Sequence, residues 1–98
     1  MSFELVIHGG LVADGTGYRA FGADVGIRDG RIVKIGTIDP GYADELVDAS
    51  DRVLAPGFID MHSHSDFVLL VNPKAESKVR QGVTTEVVGN CGNSAAPI

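Results

Sequence analysis

Two histidines stand one residue apart in the sequence PGFIDMHSHSD, which spans residues 56–66. Side chains two residues apart on a β-strand point to the same side, so His62 and His64 would present both imidazoles to one side, a geometry that suits chelation of one ion. Imidazole nitrogen is a preferred ligand of zinc. Any His-x-His segment shares this geometry, however, and a solvent-exposed strand end explains the pattern equally well at this level.

Cys91 is the single cysteine of the chain and supplies a possible third ligand. Thiolate and imidazole together suit zinc. Taken by itself, a lone cysteine is more often a buried apolar residue than a ligand. If the fold brings Cys91 beside His62 and His64, the joint placement favours a metal site.

Residues 58–61 and 83–88 are short apolar segments that predict two strands, and the sequence between them predicts a helix. Asn72 is a suitable N-cap, Pro73 suits the first helical position, and Gly82 marks the helix end. A strand–helix–strand order predicts parallel strands that end at the same edge of a sheet. That edge would carry both histidines and the cysteine, and α/β barrels place their active sites there.

The beginning of the chain has the alternating pattern of short β-strands. Residues 3–8 predict a strand, which His8 would end before a turn at Gly9 and Gly10. We assign His8 no ligand role. Residues 11–13 predict the start of a second short strand.

A hairpin gives the strongest local signal in the first half of the chain. Asp29-Gly30 lies between two apolar-rich segments and is the preferred sequence of a two-residue hairpin turn. In that register Ile27 would face Ile32, while Val33 and Ile35 would lie on the opposite face. Apolar residues on both faces predict a sheet that is covered on both sides.

The chain as a whole is predicted to be of the α/β class in two parts. Residues 46–47 and 53–54 predict two further extended segments around a turn, so residues 1–55 form a small all-β unit. Residues 56–98 form the βαβ unit that follows it.

Composition narrows the possible partners and the compartment. The 98 residues carry a net charge of -5, and the basic residues are scattered, so neither nucleic acid nor an anionic membrane is an expected partner. The longest strongly apolar run, residues 67–71, is too short to span a bilayer, and no signal peptide is visible. The lone cysteine fits a reducing compartment. We expect a soluble cytoplasmic protein.

Residues 15–20, GTGYRA, match a variant of the dinucleotide-binding fingerprint. That motif must open a helix whose N-terminus receives the pyrophosphate. Here Phe21, Gly22, Val25 and Gly26 follow, which are poor helix formers that lead into the hairpin. We therefore interpret the segment as a turn and the match as accidental.

Two longer segments carry a family resemblance: LAPGFIDMHSH at residues 54–64 and QGVTTEVVGNCGNSAAP at residues 81–97. Together with HGGLVADGTG and ADVGIRDGRI, they resemble the amidohydrolase superfamily, and specifically its N-acyl-D-amino-acid deacylase (D-aminoacylase) branch. The Gly-Asn-Cys-Gly segment is the distinctive element of that branch. The resemblance covers essentially the whole chain.

This resemblance implies a fold and a metal site. Residues 1–55 would be the N-terminal part of a small β-sandwich domain built from both chain ends, and residues 56–98 the first βαβ unit of a (β/α)8 TIM barrel. His62 and His64 would match the paired histidines of the first barrel strand, and Cys91 the cysteine in the metal-bridging position. The implied cofactor is zinc, with one or two ions per complete active site.

It also implies a reaction. In such enzymes zinc activates water and polarises the amide carbonyl of an N-acyl-D-amino acid, which releases a carboxylic acid and a free D-amino acid. The remaining ligands and the aspartate general base come from later strands, so we expect no catalytic residue within this segment. A complete barrel needs ~250 residues. We therefore expect the N-terminal portion of a deacylase, inactive by itself, whose partner is the rest of the enzyme in the same polypeptide or a second chain.

Several polar residues flank the predicted ligands. Asp60 either orients an imidazole or makes a structural hydrogen bond. Asp66 is predicted as a loop residue with no role. Asn90, Asn93 and Ser94 predict turn-forming roles beside the cysteine, with substrate contact as the alternative.

Two other functions remain open from the sequence. A hydantoinase or dihydroorotase, acting on a cyclic amide, would share the histidine pair but would not use the cysteine. A non-catalytic β-rich interaction module would bind no metal in the complete polypeptide.

Replacing Cys91 with alanine in the complete polypeptide separates the deacylase from the cyclic amidohydrolases. In a deacylase this change removes a zinc ligand, so we expect lower zinc content by elemental mass spectrometry and loss of most of the activity. Full activity with unchanged zinc content would contradict the deacylase interpretation.

Overall fold

The computed structural model describes residues 2–63 and 72–88. The chain divides into two units between Pro56 and Gly57, and each is described by itself. Among the described residues, no helix is both long enough and apolar enough to cross a membrane.

The first unit is built on a five-stranded mixed sheet with β1 at its centre. Its strands pair in the order β3-β2-β1-β4, and β5 also pairs with β1. β2 is antiparallel to β1 and to β3, whereas β4 and β5 run parallel to β1. The elements are β1 (Phe3–Val12), β2 (Phe21–Arg28), β3 (Arg31–Gly36), a 3-10 turn (Pro40–Tyr42), β4 (Ala43–Asp48) and β5 (Val53–Leu54).

The first strand is longer than predicted and passes through both of its glycines. The pairing of β1 with β2 shifts register between Ile7 and Gly10, and Gly9 has a φ of 75°. Glycine accepts this left-handed conformation without steric cost, which suits a β-bulge. The predicted turn at Gly9 and Gly10 was therefore wrong: the strand bulges there and continues.

The predicted hairpin is confirmed, but one of its faces was assigned wrongly. Asp29 and Gly30 both have positive φ, as a two-residue turn between twisted strands requires, and Ile27 faces Ile32. A register shift in β3 then adds one extra residue, so Ile35 pairs with Val25 on the face of Ile27 and Ile32. Such a bulge depends on the partner strand and is not visible in the local sequence.

The two faces of this sheet are both apolar, as predicted. On one face Phe3, Val6 and Ile38 form a buried core against which Ala43 packs. The other face holds an apolar cavity of about 250 Å³, lined by Ile7, Val12, Val25, Ile27, Ile32, Ile35, Leu54 and Pro56 among others. Ile32 is 63% exposed, so the described residues leave this second face open rather than covered.

A buried carboxylate links the bulge of β1 to the segment that follows β3. Asp24 is 7% exposed, and its Oδ1 accepts a 2.8 Å hydrogen bond from the Gly9 N–H. Its Oδ2 accepts a 2.9 Å hydrogen bond from the Ile38 N–H. The Nδ1 of His8 lies 3.0 Å from the same Oδ1. Asp24 thus replaces the strand partner that the bulge removes.

These contacts also set the ionisation of Asp24. Burial opposes its charged form, but the N–H groups of Ile38 and Gly9 together with the His8 imidazole outweigh that effect. The pKa of Asp24 is therefore held below its ordinary value.

The described part of the second unit contains two parallel strands, with a short helix between them in sequence. β6 (Phe58–Asp60) pairs in parallel with β7 (Val83–Glu86), and α1 (Glu76–Val79) lies between them in sequence. The predicted strand–helix–strand order with parallel strands is confirmed, with both strands shorter than predicted. Five apolar or small side chains, together with Lys78 and Glu86, line a depression of about 470 Å³; the five are Ala75, Val79, Val83, Thr84 and Val88.

The helix begins later than its predicted N-cap. The carbonyl of Asn72 accepts a hydrogen bond from the Ala75 N–H and closes a turn, and Ala75 has a left-handed φ of 48°. A left-handed residue cannot lie within a right-handed helix, so α1 starts at Glu76 and the predicted roles of Asn72 and Pro73 were wrong. The predicted helix end is confirmed, since Gly82 has a φ of 85° just beyond it.

We expect Asp24→Asn to lower the free energy of unfolding by about 1–3 kcal/mol at neutral pH, because an amide cannot accept both backbone hydrogen bonds. Since the folded-state pKa of Asp24 is lowered, its stabilisation is present above the unfolded-state value of about 3.9 and is lost as pH falls through the folded-state value. Urea unfolding measured between about pH 3 and pH 7 should show the free energies of unfolding of the parent and of Asp24→Asn approaching each other as the pH falls.

Asp44→Asn is the matched control, since Asp44 is an exposed aspartate of β4 in the same sheet. It should change the free energy of unfolding by less than about 0.5 kcal/mol. Equal effects of the two substitutions at neutral pH would show that the Asp24 hydrogen bonds do not hold the bulge.

Candidate functional site

Of the three predicted metal ligands, the described residues include His62. His64 and Cys91 lie outside them, as do Asp66, Asn90, Asn93 and Ser94.

The segment that carries His62 is a bend at the end of β6. The strand itself ends at Asp60. The Oδ1 of Asp60 accepts a 3.2 Å hydrogen bond from the His62 N–H. A side chain thus takes the place of a neighbouring strand at this N–H. The expectation that His62 lies on a strand face was therefore wrong, although its position at the carboxyl end of β6 is as predicted.

Backbone pairing between the two chain segments continues beyond the ends of the strands. The Val87 N–H donates to the Asp60 carbonyl at 2.7 Å, and the Ser63 N–H donates to the Val87 carbonyl at 3.2 Å. The bend that contains His62 is therefore held beside the residues that leave β7. This is the edge at which the sequence predicts the metal site.

Three charged side chains meet at this edge, one from each of the described elements β6, α1 and β7. Lys78 of α1 places its Nζ 2.7 Å from Asp60 Oδ2 of β6 and 3.6 Å from Glu86 Oε1 of β7. We call Lys78, Asp60 and Glu86 the Lys78 cluster. Ser63, which is 4% exposed, joins it by donating its hydroxyl to Glu86 Oε1 at 3.2 Å.

Ionisation within the Lys78 cluster follows from these contacts. The hydrogen bond from Lys78, followed by the His62 N–H, lowers the pKa of Asp60. The same hydrogen bond raises the pKa of Lys78, with a smaller contribution from the Glu86 charge. Asp60 is thus a carboxylate and Lys78 an ammonium at neutral pH. Two roles were predicted for Asp60, orienting an imidazole or making a structural hydrogen bond. Its contacts with Lys78 and the His62 backbone are structural hydrogen bonds.

The donor atoms of the predicted site suit zinc in kind. His62 contributes an imidazole at the carboxyl edge of the parallel strands, and imidazole with thiolate is a typical zinc ligand set. Within residues 2–63 and 72–88, no three His, Cys, Asp or Glu side chains are grouped so as to hold a metal ion. The ligand set of His62, His64 and Cys91 therefore stays a prediction.

Sequence reasoning missed Lys78 and Glu86. Glu86 interrupts a β-branched, apolar strand, and a charged residue in such a strand needs a partner when it is buried. That signal points to a cation nearby. The sequence does not show which residue supplies this cation, because Lys78 lies on α1 and comes close to Glu86 only in the folded chain.

This chain is similar in sequence to known proteins over nearly its whole length. Residues 45–97 match the model of the amidohydrolase family. An N-acyl-D-glutamate deacylase of Alcaligenes xylosoxydans xylosoxydans is 51% identical over 96% of this chain and 19% of its own length. A D-aminoacylase of the same organism is 46% identical over 98% of this chain and 20% of its own length.

Solved structures extend this similarity to three dimensions. The N-acyl-D-glutamate deacylase of Bordetella bronchiseptica, complexed with zinc and a phosphonate inhibitor, is 47% identical over 99% of this chain and 20% of its own, with a TM-score of 0.94. A D-aminoacylase with a binuclear metal centre is 44% identical over 98% of this chain and 20% of its own, with a TM-score of 0.90. The L-hydantoinase of Arthrobacter aurescens is 24% identical, with a TM-score of 0.70, and shares the fold. The chain spans about a fifth of the length of these relatives.

Gly57 lies directly before β6, where this strand packs closely against β7. A Cβ at Gly57 would collide with the Cβ and both γ atoms of Thr84 on β7. We expect Gly57→Ala to push the strands apart and to lower the free energy of unfolding by about 1–3 kcal/mol, measured by urea denaturation.

Gly36→Ala is the control for this substitution. A Cβ at Gly36 would meet no atom within 4 Å, and its φ is not in the left-handed region. If Gly57→Ala proved as stable as Gly36→Ala, the close contact between Gly57 and Thr84 would not be what limits the strand separation.

Proposed function

The chain belongs to the amidohydrolase family, and we propose that it is part of a zinc-dependent enzyme that hydrolyses the amide bond of N-acyl-D-amino acids. The resemblance predicted from the residues is confirmed at the level of the family. The observation that carries the proposal is the 47% identity and TM-score of 0.94 to a zinc-bound N-acyl-D-glutamate deacylase over 99% of this chain.

In this proposal His62, His64 and Cys91 hold the metal. When bound, zinc would activate water and polarise the amide carbonyl, the two general uses of a hydrolytic metal. One or two ions per complete site fit the binuclear centre of the related D-aminoacylase, because a thiolate at Cys91 could bridge two ions. His62 reaches the site from a bend whose backbone is held by Asp60 and by the pairing of Ser63 with Val87.

The rest of the enzyme would complete both units. Residues 56–98 would begin a (β/α)8 barrel whose later strands supply the remaining ligands and the general base. Residues 1–55 would form part of a β-sandwich domain, and a second sheet would cover the open face around Ile32. We propose the remainder of the enzyme as the partner, an N-acyl-D-amino acid as the substrate and the cytoplasm as the location.

A cyclic amidohydrolase is the second candidate. The L-hydantoinase match supports a shared fold at 24% identity, about half the identity to the deacylases. The distinctive Gly-Asn-Cys-Gly segment, with Cys91 as the proposed bridging ligand, favours the deacylase reaction.

The test is a substrate panel with the polypeptide expressed together with all of its natural flanking sequence. N-acetyl-D-glutamate, N-acetyl-D-aspartate and a neutral N-acetyl-D-amino acid are offered beside their L-enantiomers and a hydantoin. We expect release of free D-amino acid, its loss on treatment with a chelator, and its return with zinc. His62→Ala should lower kcat/KM by about 100-fold or more, because a metal ligand matters at least as much as the groups that orient it.

Hydrolysis of the hydantoin in preference to every linear amide would contradict the deacylase proposal. A purified polypeptide without metal and without hydrolase activity would favour the non-catalytic module.

A further inference from the structure

We infer that Lys78 is a positioning residue that holds the His62 backbone and keeps Asp60 out of the metal site. This role rests on the proposed function, in which His62 binds the metal. It adds a residue from α1 to a site whose predicted ligands all follow strands.

The first connection runs through Asp60. Its Oδ2 lies 2.7 Å from Lys78 Nζ, while its Oδ1 accepts the hydrogen bond from the His62 N–H at 3.2 Å. Because both oxygens belong to one rigid carboxylate, the lysine contact fixes the direction of the oxygen that holds His62. Lys78 therefore acts on His62 through a single intervening side chain.

The second connection runs through Glu86. Its Oε1 lies 3.6 Å from Lys78 Nζ and accepts the Ser63 hydroxyl at 3.2 Å. The Glu86 side chain is 11% exposed, so its charge is largely removed from water and depends on nearby partners. His62 and Ser63, which follow one another after β6, are thus each held by a carboxylate that Lys78 contacts.

Charge gives Lys78 a further effect on the ligand set. Without it, Asp60 and Glu86 would face each other as like charges at one edge. The released Asp60 Oδ2 would then be a hard oxygen donor close to His62, able to turn towards a bound cation. Lys78 prevents that by occupying this oxygen at 2.7 Å.

A purely structural role for Lys78 makes a different prediction. If Lys78 only ties α1 to the two strands, its loss lowers stability but leaves the affinity and geometry of the metal site unchanged. Metal affinity of the folded protein, rather than activity or stability, is therefore the deciding measurement.

The experiment uses the polypeptide with all of its natural flanking sequence and compares Lys78→Met, Lys78→Arg and Lys74→Met. Lys74 is an exposed lysine in the turn before α1 and serves as the matched control. Zinc affinity is measured by competition with a chromophoric chelator, and ligand geometry by the visible absorption of the cobalt-substituted protein. We expect Lys78→Met to weaken zinc binding about 10-fold or more and to change the cobalt spectrum.

Lys78→Arg, which keeps the charge and the hydrogen bond to Asp60, should restore most of the affinity, and Lys74→Met should match the parent. A Lys78→Met protein with parental affinity and spectrum, whatever its unfolding midpoint, would overturn the positioning role. If Lys78→Met does not fold, Glu86→Gln decides instead: weaker zinc binding supports the role and parental binding overturns it.

The parent protein separates this inference from the proposed function. Suppose that the parent binds zinc, that His62→Ala abolishes this binding and that Lys78→Met leaves it unchanged. This result would overturn the positioning role of Lys78, while the proposed function would stand. A parent that binds no zinc would overturn both.

Discussion

The parallel pairing of β6 with β7 is the constraint on which the candidate site depends. Parallel strands must be joined by a crossover, and they end at the same edge of the sheet. That edge collects Asp60 and the bend of His62 from one strand and Glu86 from the other. The crossover itself supplies Lys78. The close approach of Gly57 to Thr84 allows the two strands to pair at this separation.

Aspartate side chains perform one recurring task in this chain, which is to accept backbone N–H groups where strand pairing stops. The carboxylates of Asp14, Asp48 and Asp60 each accept the N–H of the residue two positions later. This is the Asx-turn, a local alternative to pairing with a neighbouring strand. At Asp14 and Asp48, hydrogen bonds from the following Thr16 and Ser50 lower the pKa, as Lys78 and His62 do at Asp60. The placement of His62 thus uses a motif that the chain uses elsewhere as a simple turn.

The carboxylates of Asp24 and Asp60 each stabilise one of the two units, and they differ in the partners that hold them. Asp24 in the first unit is satisfied by two backbone N–H groups and lies beside an imidazole, and it holds a bulge in the central strand. Asp60 in the second unit shares its oxygens between a backbone N–H and a lysine from another element. The first arrangement stabilises the sheet, whereas the second connects a helix to a candidate ligand. Each accepts at least one hydrogen bond from a group distant in sequence: Asp24 from Gly9 and Ile38, and Asp60 from Lys78.

Local chemistry in the sequence was sufficient for several features. Asp29-Gly30 predicts the hairpin and the pairing of Ile27 with Ile32, since few residues adopt positive φ at both turn positions. Gly82 predicts the helix end for the same reason, and the order of apolar segments predicts the parallel strands. Tertiary structure decided the bulge at Gly9, the face of Ile35 and the left-handed Ala75 that delays the helix. It also decided the contact of Lys78 with Asp60 and Glu86. Turns depend on the φ and ψ angles that adjacent residues can adopt, so the local sequence predicts them. Bulges and ion pairs depend on which distant segments the fold brings within a few ångströms of each other.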